Sequence, residues 1–238
     1  MMPLKVLVGC EQSQVVTKAF RALGHEAYSC DILPCSGGHP EWHIQDDVLK
    51  HLNDGWDMGI FHPPCTYLSN SGVGWLFNYK GESLRRWEVW GLTGYTGPLW
   101  RRADIKRFRK MHDAAEFFSK LLLADIPRIV IENPIQHKYA FESIVMRMPF
   151  EKIEYSKYDQ IIHPWMFGHM EQKPTCLWLK NVPPLKETDN VYEEMKKLPA
   201  NQRQRIHYMP PSAHRAQDRA VTYEGIGAAM ASQWSVLP

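Results

Sequence analysis

Short apolar runs alternate with amphipathic segments along most of the chain, a pattern that indicates an α/β protein. Runs with strand character occupy residues 5–9, 25–29, 58–61, 128–131, 152–160 and 175–179. Apolar residues at helical spacing occupy residues 15–23, 103–123 and 226–231. The amino-terminal order of strand, helix and strand predicts a βαβ unit, and the whole pattern predicts a mostly parallel sheet.

One of these strands ends in residues that carry chemistry. The apolar run at 58–61 is followed by His62, Pro63, Pro64 and Cys65. Because proline cannot donate to a sheet ladder, the strand ends here and Cys65 lies beyond its carboxyl end. Ligands of open α/β sheets collect at the carboxyl ends of strands, so this thiol is placed to act as a nucleophile. A buried, inert cysteine beside a Pro-Pro turn fits the same residues.

A second strand end carries a carboxyl group. The run at 128–131 leads into Glu132, Asn133 and Pro134. Desolvation raises the proton affinity of a carboxyl group, which suits Glu132 to act as an acid or to hydrogen-bond a substrate. Cys65 and Glu132 are therefore predicted as nucleophile and acid. His62 is either an aid to the thiol or a hydrogen-bonding residue at the strand end.

The first strands end in residues suited to a nucleotide-like ligand. Gly9 ends the first strand and Asp31 follows the second, where nucleotide-binding βαβ folds place an acid that accepts hydrogen bonds from ribose. An ordinary loop acid fits Asp31 equally well, since the chain has no GxGxxG motif. Asp46 or Asp47 is a candidate partner for an adenine amino group, and a cap at Asp46 of the helix that follows is the alternative.

Composition narrows the class of protein without naming a partner. The 238 residues are 44% hydrophobic, enough for one good-sized core, and the net charge of +2 argues neither for nor against nucleic acid. Five cysteines without framework spacing and the lack of a leader or long apolar run predict a reduced, cytosolic protein. Cys30, Cys35, His39 and His43 allow a zinc site, although the intervening prolines and glycines favour an ordinary loop.

Two further stretches have unusual compositions. Residues 68–102 interleave aromatic residues with six glycines and several arginines, which fits a mobile lid that closes on a base. An aromatic subdomain packed on itself is the alternative. The basic run at 101–110 fits either a phosphate backbone or a solvated helix face. Residues 183–220 are polar and proline-rich, which predicts a small irregular lobe.

The Pro-Pro-Cys and Glu-Asn-Pro segments, behind an opening βαβ unit, resemble the DNA cytosine-5 methyltransferases. Residues 11–31, 165–185 and 223–234 resemble a compact, phage-type branch of that family, and the resemblance covers most of the chain. In the family a Pro-Cys cysteine attacks C6 of a flipped cytosine, and the glutamate of a Glu-Asn-Val motif contacts N3. The resemblance implies these roles for Cys65 and Glu132, in the Rossmann-like sheet of S-adenosylmethionine-dependent methyltransferases.

The resemblance also implies binding residues. It places S-adenosyl-L-methionine at Gly9, Glu11, Asp31, Asp47, Pro63, Ile226 and Gly227. It places the substrate at Pro64, Ser69, Asn133, Lys173 and Thr175. The chain departs from the family at the first turn, which lacks Phe-x-Gly-x-Gly. The family's Gln-x-Arg-x-Arg motif has two candidates, 172–176 and 202–205, and the strand context favours the first.

These interpretations define the expected organisation. Residues 1–182 form a catalytic domain that includes the aromatic loop, residues 183–220 form a target-recognition lobe, and residues 221–238 form a helix that returns to the catalytic domain. The expected protein is a cytoplasmic monomer, in the host cytoplasm if phage-encoded, that methylates cytosine C5 in double-stranded DNA without a metal or a membrane.

Other acceptors and other functions fit parts of the pattern. Enzymes that methylate adenine N6 or cytosine N4 also place a Pro-Pro turn after a central strand. They use Asp, Asn or Ser before the prolines and an aromatic residue after them, where this chain has His62 and Cys65. A catalytically silent nucleic-acid-binding protein of the same fold is a further alternative, as is an enzyme acting on RNA or a free pyrimidine nucleotide.

Overall fold

The structure, a computed structural model, describes residues 2–81, 84–212 and 215–236. Over these residues the strands form one seven-stranded sheet in the order β3-β2-β1-β4-β5-β7-β6. The strands are β1 Lys5–Gly9, β2 Glu26–Cys30, β3 His43–Ile44, β4 Met58–Phe61, β5 Arg128–Asn133, β6 Gln160–Ile162 and β7 Thr175–Lys180. The pairs β1–β2, β1–β4, β2–β3 and β4–β5 are parallel, and β6–β7 is antiparallel. The order from β3 to β5 is that of a Rossmann-like sheet, so the predicted fold class is confirmed.

The α-helices are α1 Val15–Ala22, α2 Arg86–Thr93, α3 Ile105–Leu122, α4 Lys138–Val145, α5 Tyr192–Lys196, α6 Ala200–Arg203, α7 Arg205–Tyr208, α8 Arg215–Ala220 and α9 Glu224–Trp234. Single 3₁₀ segments cover Pro40–Trp42, Val48–Lys50, Asn70–Phe77, Trp100–Arg102, Phe150–Ser156 and Pro164–Met166. The helices predicted at 15–23 and 103–123 and near the carboxyl terminus are confirmed by α1, α3 and α9. None of the helices in the described ranges has both the length and the apolarity needed to cross a membrane.

One predicted strand is wrong. Residues 152–160 alternate apolar and charged side chains, but most of them form the 3₁₀ segment Phe150–Ser156, and the strand β6 begins only at Gln160. Phe150 is 86% exposed, and Glu151, Lys152 and Ile153 are exposed as well. These side chains do not pack against a buried surface. The alternation of apolar and charged residues therefore does not place them in the sheet.

The chain divides into two compact units. The sheet unit comprises Met1–Pro63, Ala124–Glu132 and Tyr158–Pro238, and the helical unit comprises Pro64–Leu123 and Asn133–Lys157. Residues 183–220 therefore group with the sheet unit, where they form the short helices α5 to α8. Their predicted role as a target-recognition lobe, and the predicted domain boundaries, stay predictions.

The core of the sheet unit explains why β1 and β4 read as continuous apolar runs. Both strands lie in the interior of the sheet order, and Val6, Val8, Met58 and Ile60 are fully buried. Helix α1 contributes Val16 and Phe20 and helix α9 contributes Met230 and Trp234 to the same apolar cluster. Leu7 and Phe61, which alternate with these residues, are also fully buried, so burial on both faces fixes the two strands and the positions of their carboxyl ends.

Candidate active site

The carboxyl ends of β4 and β5 each deliver one ionisable side chain. The two strands are parallel neighbours in which Phe61 is in register with Ile131, so His62 and Glu132 come next on adjacent strands. Nδ1 of His62 lies 2.8 Å from Oε2 of Glu132, and the two side chains are only 9% and 13% exposed. The register of two central strands thus produces a buried, hydrogen-bonded pair inside the sheet unit.

This pair is ionic. Burial by itself would lower the pKa of His62, but the hydrogen bond and charge of Glu132 outweigh it and raise that pKa above its ordinary value. Burial would likewise raise the pKa of Glu132, yet the hydrogen bond and charge of His62 lower it. Desolvation thus acts on Glu132 in the predicted direction, but the hydrogen bond and charge of His62 outweigh it and the pKa of Glu132 falls. Both shifts favour an imidazolium beside a carboxylate.

Three further polar residues of the sheet unit act on this pair. The Glu11 carboxylate raises the pKa of His62, and the Lys173 ammonium lowers the pKa of both His62 and Glu132. The Thr222 hydroxyl donates a hydrogen bond to Glu132. Nε2 of His62 is buried and has no hydrogen-bond partner among the described residues. A buried polar atom without a partner is unusual in a folded protein, and it marks a place where a ligand can bind.

Cys65 belongs to the helical unit, which begins at Pro64. The thiol is half-buried and is not in a disulfide. The carbonyl of Cys65 accepts a hydrogen bond from the N–H of Ser69 at 3.0 Å, so the cysteine opens a tight turn. Within this unit Asn70 N–H donates to the Ile135 carbonyl at 3.1 Å, and Ser69 forms an antiparallel bridge with Gln136. Backbone hydrogen bonds therefore hold the turn that carries the predicted nucleophile.

Three other thiols are less suited to nucleophilic attack. Burial raises the pKa of Cys10, and it raises that of Cys30 to about 12 and that of Cys176 to about 11. A higher thiol pKa leaves less thiolate at neutral pH, and the thiolate is the nucleophile. Cys65 remains the candidate that the sequence predicted.

The first turn after β1 is filled by the protein itself. Glu11 is 4% exposed, and its carboxylate accepts hydrogen bonds from the N–H groups of Val16 at 2.7 Å and Thr17 at 3.3 Å and from the Thr17 hydroxyl at 2.7 Å. It thus occupies the amino terminus of α1, where dinucleotide-binding folds hold pyrophosphate. At Gly9 a Cβ would lie 2.6 Å from Cδ1 of Phe61, so only glycine fits there.

The two predicted cofactor acids follow neighbouring strands. Asp31 follows β2, and its Oδ1 accepts a hydrogen bond from Leu33 N–H at 2.9 Å. Asp47 follows β3, and its Oδ1 accepts from Leu49 N–H at 3.0 Å, which caps the 3₁₀ segment. The predicted cap at Asp46 is therefore wrong, because Asp47 caps this segment and the Oδ1 of Asp46 accepts from the N–H of Asp47 and from Lys50 Nζ. Each carboxylate uses its Oδ1 in these local contacts.

The remaining predicted cofactor residues lie at two other places in the chain. Pro63 is the last residue of the sheet-unit segment that ends β4, and it is buried. Ile226 and Gly227 lie in the first turn of α9, where a Cβ on Gly227 would be 3.2 Å from Cγ1 of Val15. Gly227 thus allows close packing between α1 and α9.

The predicted substrate residues are divided between the two units. Lys173 and Thr175 lie in the sheet unit, where Nζ of Lys173 donates to the Arg219 carbonyl at 3.3 Å and Thr175 begins β7. Pro64, Ser69 and Asn133 lie in the helical unit. The roles of all five residues stay predictions.

The two candidates for the Gln-x-Arg-x-Arg motif contact each other. Gln172 N–H donates to the Arg203 carbonyl at 2.6 Å, and Nε2 of Gln204 lies 3.4 Å from Oε1 of Gln172. Because the segments lie side by side, the structure does not separate them, and the preference for the first stays a prediction.

The cysteine and histidine series near β2 has other partners. Cys30 Sγ donates to Asp46 O, Cys35 Sγ to Gln14 Oε1, His39 Nδ1 pairs with Glu41, and His43 Nδ1 pairs with Ser29. Throughout residues 2–81, 84–212 and 215–236, no cluster of three or more His, Cys, Asp or Glu side chains is placed to hold a metal ion.

The aromatic residues of segment 68–102 form two groups within the helical unit. Phe77 and Tyr95 are buried, with ring centroids 4.8 Å apart, and they pack against Phe108 and Tyr139. Trp75, Trp87 and Trp90 are 57%, 64% and 58% exposed. A subdomain packed on itself therefore describes the first group and not the second. The lid function stays a prediction.

Sequence reasoning missed two features of this site. The ion pair of His62 and Glu132 has a signal in the sequence, because each residue is the first polar side chain after the apolar residues of its strand. This signal predicts the ion pair only when β4 and β5 are known to be neighbours in the sheet. Thr222 precedes α9 in a loop and has no comparable signal.

Neither a scan against models of protein families nor a search of curated proteins gives a match. Among solved structures, the Entamoeba histolytica methyltransferase EhMeth aligns with 80% of this chain and 58% of its own, at 14% identity and a TM-score of 0.44. The S. pombe Dnmt2 methyltransferase aligns with 89% of this chain and 61% of its own, at 12% identity and a TM-score of 0.42. The chain thus spans about three-fifths of the length of either protein, and the likeness is distant.

Proposed function

We propose that the chain is an S-adenosylmethionine-dependent methyltransferase that methylates C5 of cytosine in double-stranded DNA through a covalent adduct on Cys65. The observation that carries the proposal is the buried ion pair of His62 and Glu132 at the carboxyl ends of two central parallel strands. Cys65 follows His62 in the chain after two prolines. A proton donor and a thiol on the loop that leaves one strand are the groups that this reaction needs.

The chemistry assigns each group a task. Cytosine C5 becomes nucleophilic when the thiolate of Cys65 adds at C6, because the added electron pair spreads over C5 and N3. A proton donated to N3 neutralises this charge, and such acid assistance is worth about 10²–10⁴-fold. C5 then takes the methyl group, a base removes the C5 proton, and elimination restores the thiolate. When bound, S-adenosylmethionine supplies the electrophilic methyl group.

The residues present fit this cofactor better than a dinucleotide. The Glu11 carboxylate already binds the first N–H groups of α1, so a pyrophosphate would find those donors taken and a negative charge in its place. S-adenosylmethionine carries no phosphate. Asp31 and Asp47 follow β2 and β3, and their carboxylates are suitable acceptors for the ribose hydroxyls and the adenine amino group.

Product analysis tests the proposed reaction. The protein is incubated with methyl-labelled S-adenosylmethionine and, separately, duplex DNA, RNA and deoxycytidine monophosphate, and each acceptor is digested to nucleosides. We expect label in 5-methylcytosine from duplex DNA. Label in N4-methylcytosine or N6-methyladenine would replace the reaction by amino methylation, and label in RNA or free nucleotide alone would replace the acceptor. DNA binding with no label anywhere would favour the silent binding protein.

Exposed basic residues of the helical unit support DNA as the acceptor. They are Lys80, Arg85, Arg86, Arg101, Arg102, Lys106, Arg109 and Lys110. Within the described part of the chain, none of the ion pairs includes any of these eight residues. Exposed Trp75, Trp87 and Trp90 belong to the same segment. Cations without acidic partners bind phosphates, and exposed aromatic rings stack on bases.

Replacing Arg101 and Arg102 together by alanine is expected to weaken DNA binding about equally for all sequences. The slope of log K against log salt should become shallower by about 0.9 for each DNA phosphate that the variant no longer neutralises. Fluorescence anisotropy over a range of salt concentrations measures both quantities. Lys120→Ala on α3 is the control, since the Lys120 ammonium is paired with Glu116 at 2.8 Å and its removal should leave the slope unchanged. An unchanged slope in the double variant would contradict the assignment of these basic residues to DNA binding.

A further inference from the structure

We propose that His62, and not Glu132, is the general acid of this site, that its Nε2 donates the proton, and that Glu132 is the residue that positions the imidazole. The inference deepens the proposed function and rests on it for the acceptor, which is N3 of the target cytosine. It departs from the roles implied by the resemblance, in which the glutamate itself contacts N3.

The hydrogen bonding of the imidazole identifies the donating atom. Nδ1 of His62 lies 2.8 Å from Oε2 of Glu132, which commits the Nδ1 proton to the carboxylate. An imidazolium carries a second proton on Nε2. This atom is buried and has no partner in the described part of the chain. A buried N–H without an acceptor is costly, so the acceptor is expected to come from a bound substrate.

Glu132 is poorly suited to donate a proton. Its carboxylate already accepts hydrogen bonds from His62 and Thr222, and the charges of His62 and Lys173 favour its ionised form. An ionised carboxylate has no proton to give. Glu132 is suited instead to fix the orientation of the imidazole ring and to stabilise the imidazolium. The aspartate has this role in a Ser-His-Asp triad.

The charges around His62 come from three elements. Glu132 belongs to β5, and Glu11 follows β1, and both carboxylates favour the imidazolium. Lys173 precedes β7, and its ammonium opposes the imidazolium. Because the carboxylates outweigh both the ammonium and the burial, the pKa of His62 lies above its ordinary value, which favours the protonated ring.

The proposed step conserves atoms and electrons. The Cys65 thiolate forms the S–C6 bond with its own electron pair, and the C5–C6 π electrons move towards N3. The Nε2–H bond of His62 breaks, its electron pair stays on the ring, and N3 gains the proton. His62 is then a neutral imidazole that still donates through Nδ1 to Glu132. After methylation a base takes the C5 proton, the C5–H electron pair forms the C5–C6 double bond, the C6–S bond breaks with its pair returning to sulfur, and the N3 proton returns to Nε2.

The protonation of His62 is measured first, because this requires no activity. The protein is labelled with ¹⁵N in the imidazole rings of its 11 histidines, and the His62 signals are assigned by their loss in His62→Gln. We expect both ring nitrogens of His62 to remain protonated above pH 6.5, and the titration to move to lower pH in Glu132→Gln. A neutral His62 at pH 7 in the wild-type protein would overturn the inference and leave the proposed function standing.

The catalytic role is tested by the pH dependence of single-turnover methyl transfer. We expect the wild-type rate to fall as the pH rises through the pKa that the ¹⁵N titration gives. His62→Gln should lower the rate by about 10²–10⁴-fold and abolish this decline of the rate at high pH. It should leave the KM for DNA near its wild-type value. His25→Gln removes another buried imidazole of the sheet unit and should keep the decline of the rate at high pH. A rate that rises with pH through that pKa would make the imidazole a base and overturn the proposal. No transfer by the wild-type protein under any condition would instead overturn the proposed function, and with it this role.

Discussion

Replacing Cys65 by alanine is expected to lower the single-turnover rate of methyl transfer by on the order of 10⁴- to 10⁶-fold, the loss seen when a catalytic nucleophile is removed. Without the thiolate, C5 of cytosine is not activated. Cys10, Cys30 and Cys176 cannot substitute for it, since burial raises the pKa of each thiol. DNA affinity should be unchanged, because the turn at Cys65 is held by backbone hydrogen bonds that alanine preserves.

The matched control is Cys35→Ala, which also removes a half-buried thiol. Cys35 Sγ donates to Oε1 of Gln14, well away in sequence from the Pro-Pro turn, and its removal should leave the rate close to that of the wild type. Rates are measured with labelled S-adenosylmethionine at saturating DNA, and affinities by anisotropy. A Cys65→Ala protein that methylates at close to the wild-type rate would contradict covalent catalysis.

Replacing Glu132 by glutamine is expected to lower the rate by about 10²–10⁴-fold and the free energy of unfolding by about 3 kcal/mol. Glutamine keeps the shape and can still accept from Nδ1 of His62, but it removes the negative charge that holds the imidazolium. The buried cation then lacks its counter-charge and loses its proton.

The loss of stability should depend on pH in a defined direction. The raised pKa of His62 contributes stability that is fully present below 6.5 and is lost as the pH rises through its folded-state pKa. The lowered pKa of Glu132 contributes stability that is present above 4.5 and is lost as the pH falls through its folded-state pKa. The difference between wild type and Glu132→Gln should therefore be largest between pH 4.5 and 6.5.

Urea denaturation over a range of pH measures this difference. The double variant with both His62 and Glu132 replaced by glutamine is the control, since it removes both charges and should recover part of the stability that the single change loses. Parallel stability curves for wild type and Glu132→Gln at all pH values would mean that the two side chains do not form an ion pair.

Much of the candidate site could be predicted because the residues that end a strand can be recognised in the local sequence. The buried run at 58–61 stops at two prolines, and the run at 128–131 stops at Glu132 and a proline, so both ends are visible without knowing the fold. The ion pair is different, because His62 and Glu132 are 70 residues apart and meet only through the register of β4 and β5. Burial alone suggested a protonated Glu132, and its partner reverses that result.

The first turn shows a second limit of sequence reasoning. It lacks a glycine-rich motif, yet it contains left-handed backbone at Cys10 and Gln14, with φ of 60° and 59°. Gln14 is fully buried, and its side chain binds Ser29 and the backbone of His39. These tertiary hydrogen bonds hold a conformation that glycine adopts without such support. No local sequence pattern indicates these tertiary hydrogen bonds.

The most direct test of covalent cytosine-5 methylation is trapping on a duplex that carries 5-fluorocytosine. The wild-type protein and Cys65→Ala are incubated with this duplex, with and without S-adenosylmethionine, and separated on a denaturing gel. Fluorine cannot leave C5 as a cation, so an enzyme that adds to C6 and methylates C5 stays attached to the DNA. We expect a shifted band that requires both Cys65 and the cofactor. A wild-type protein that methylates ordinary DNA and forms no such band on duplexes of varied sequence would contradict the account.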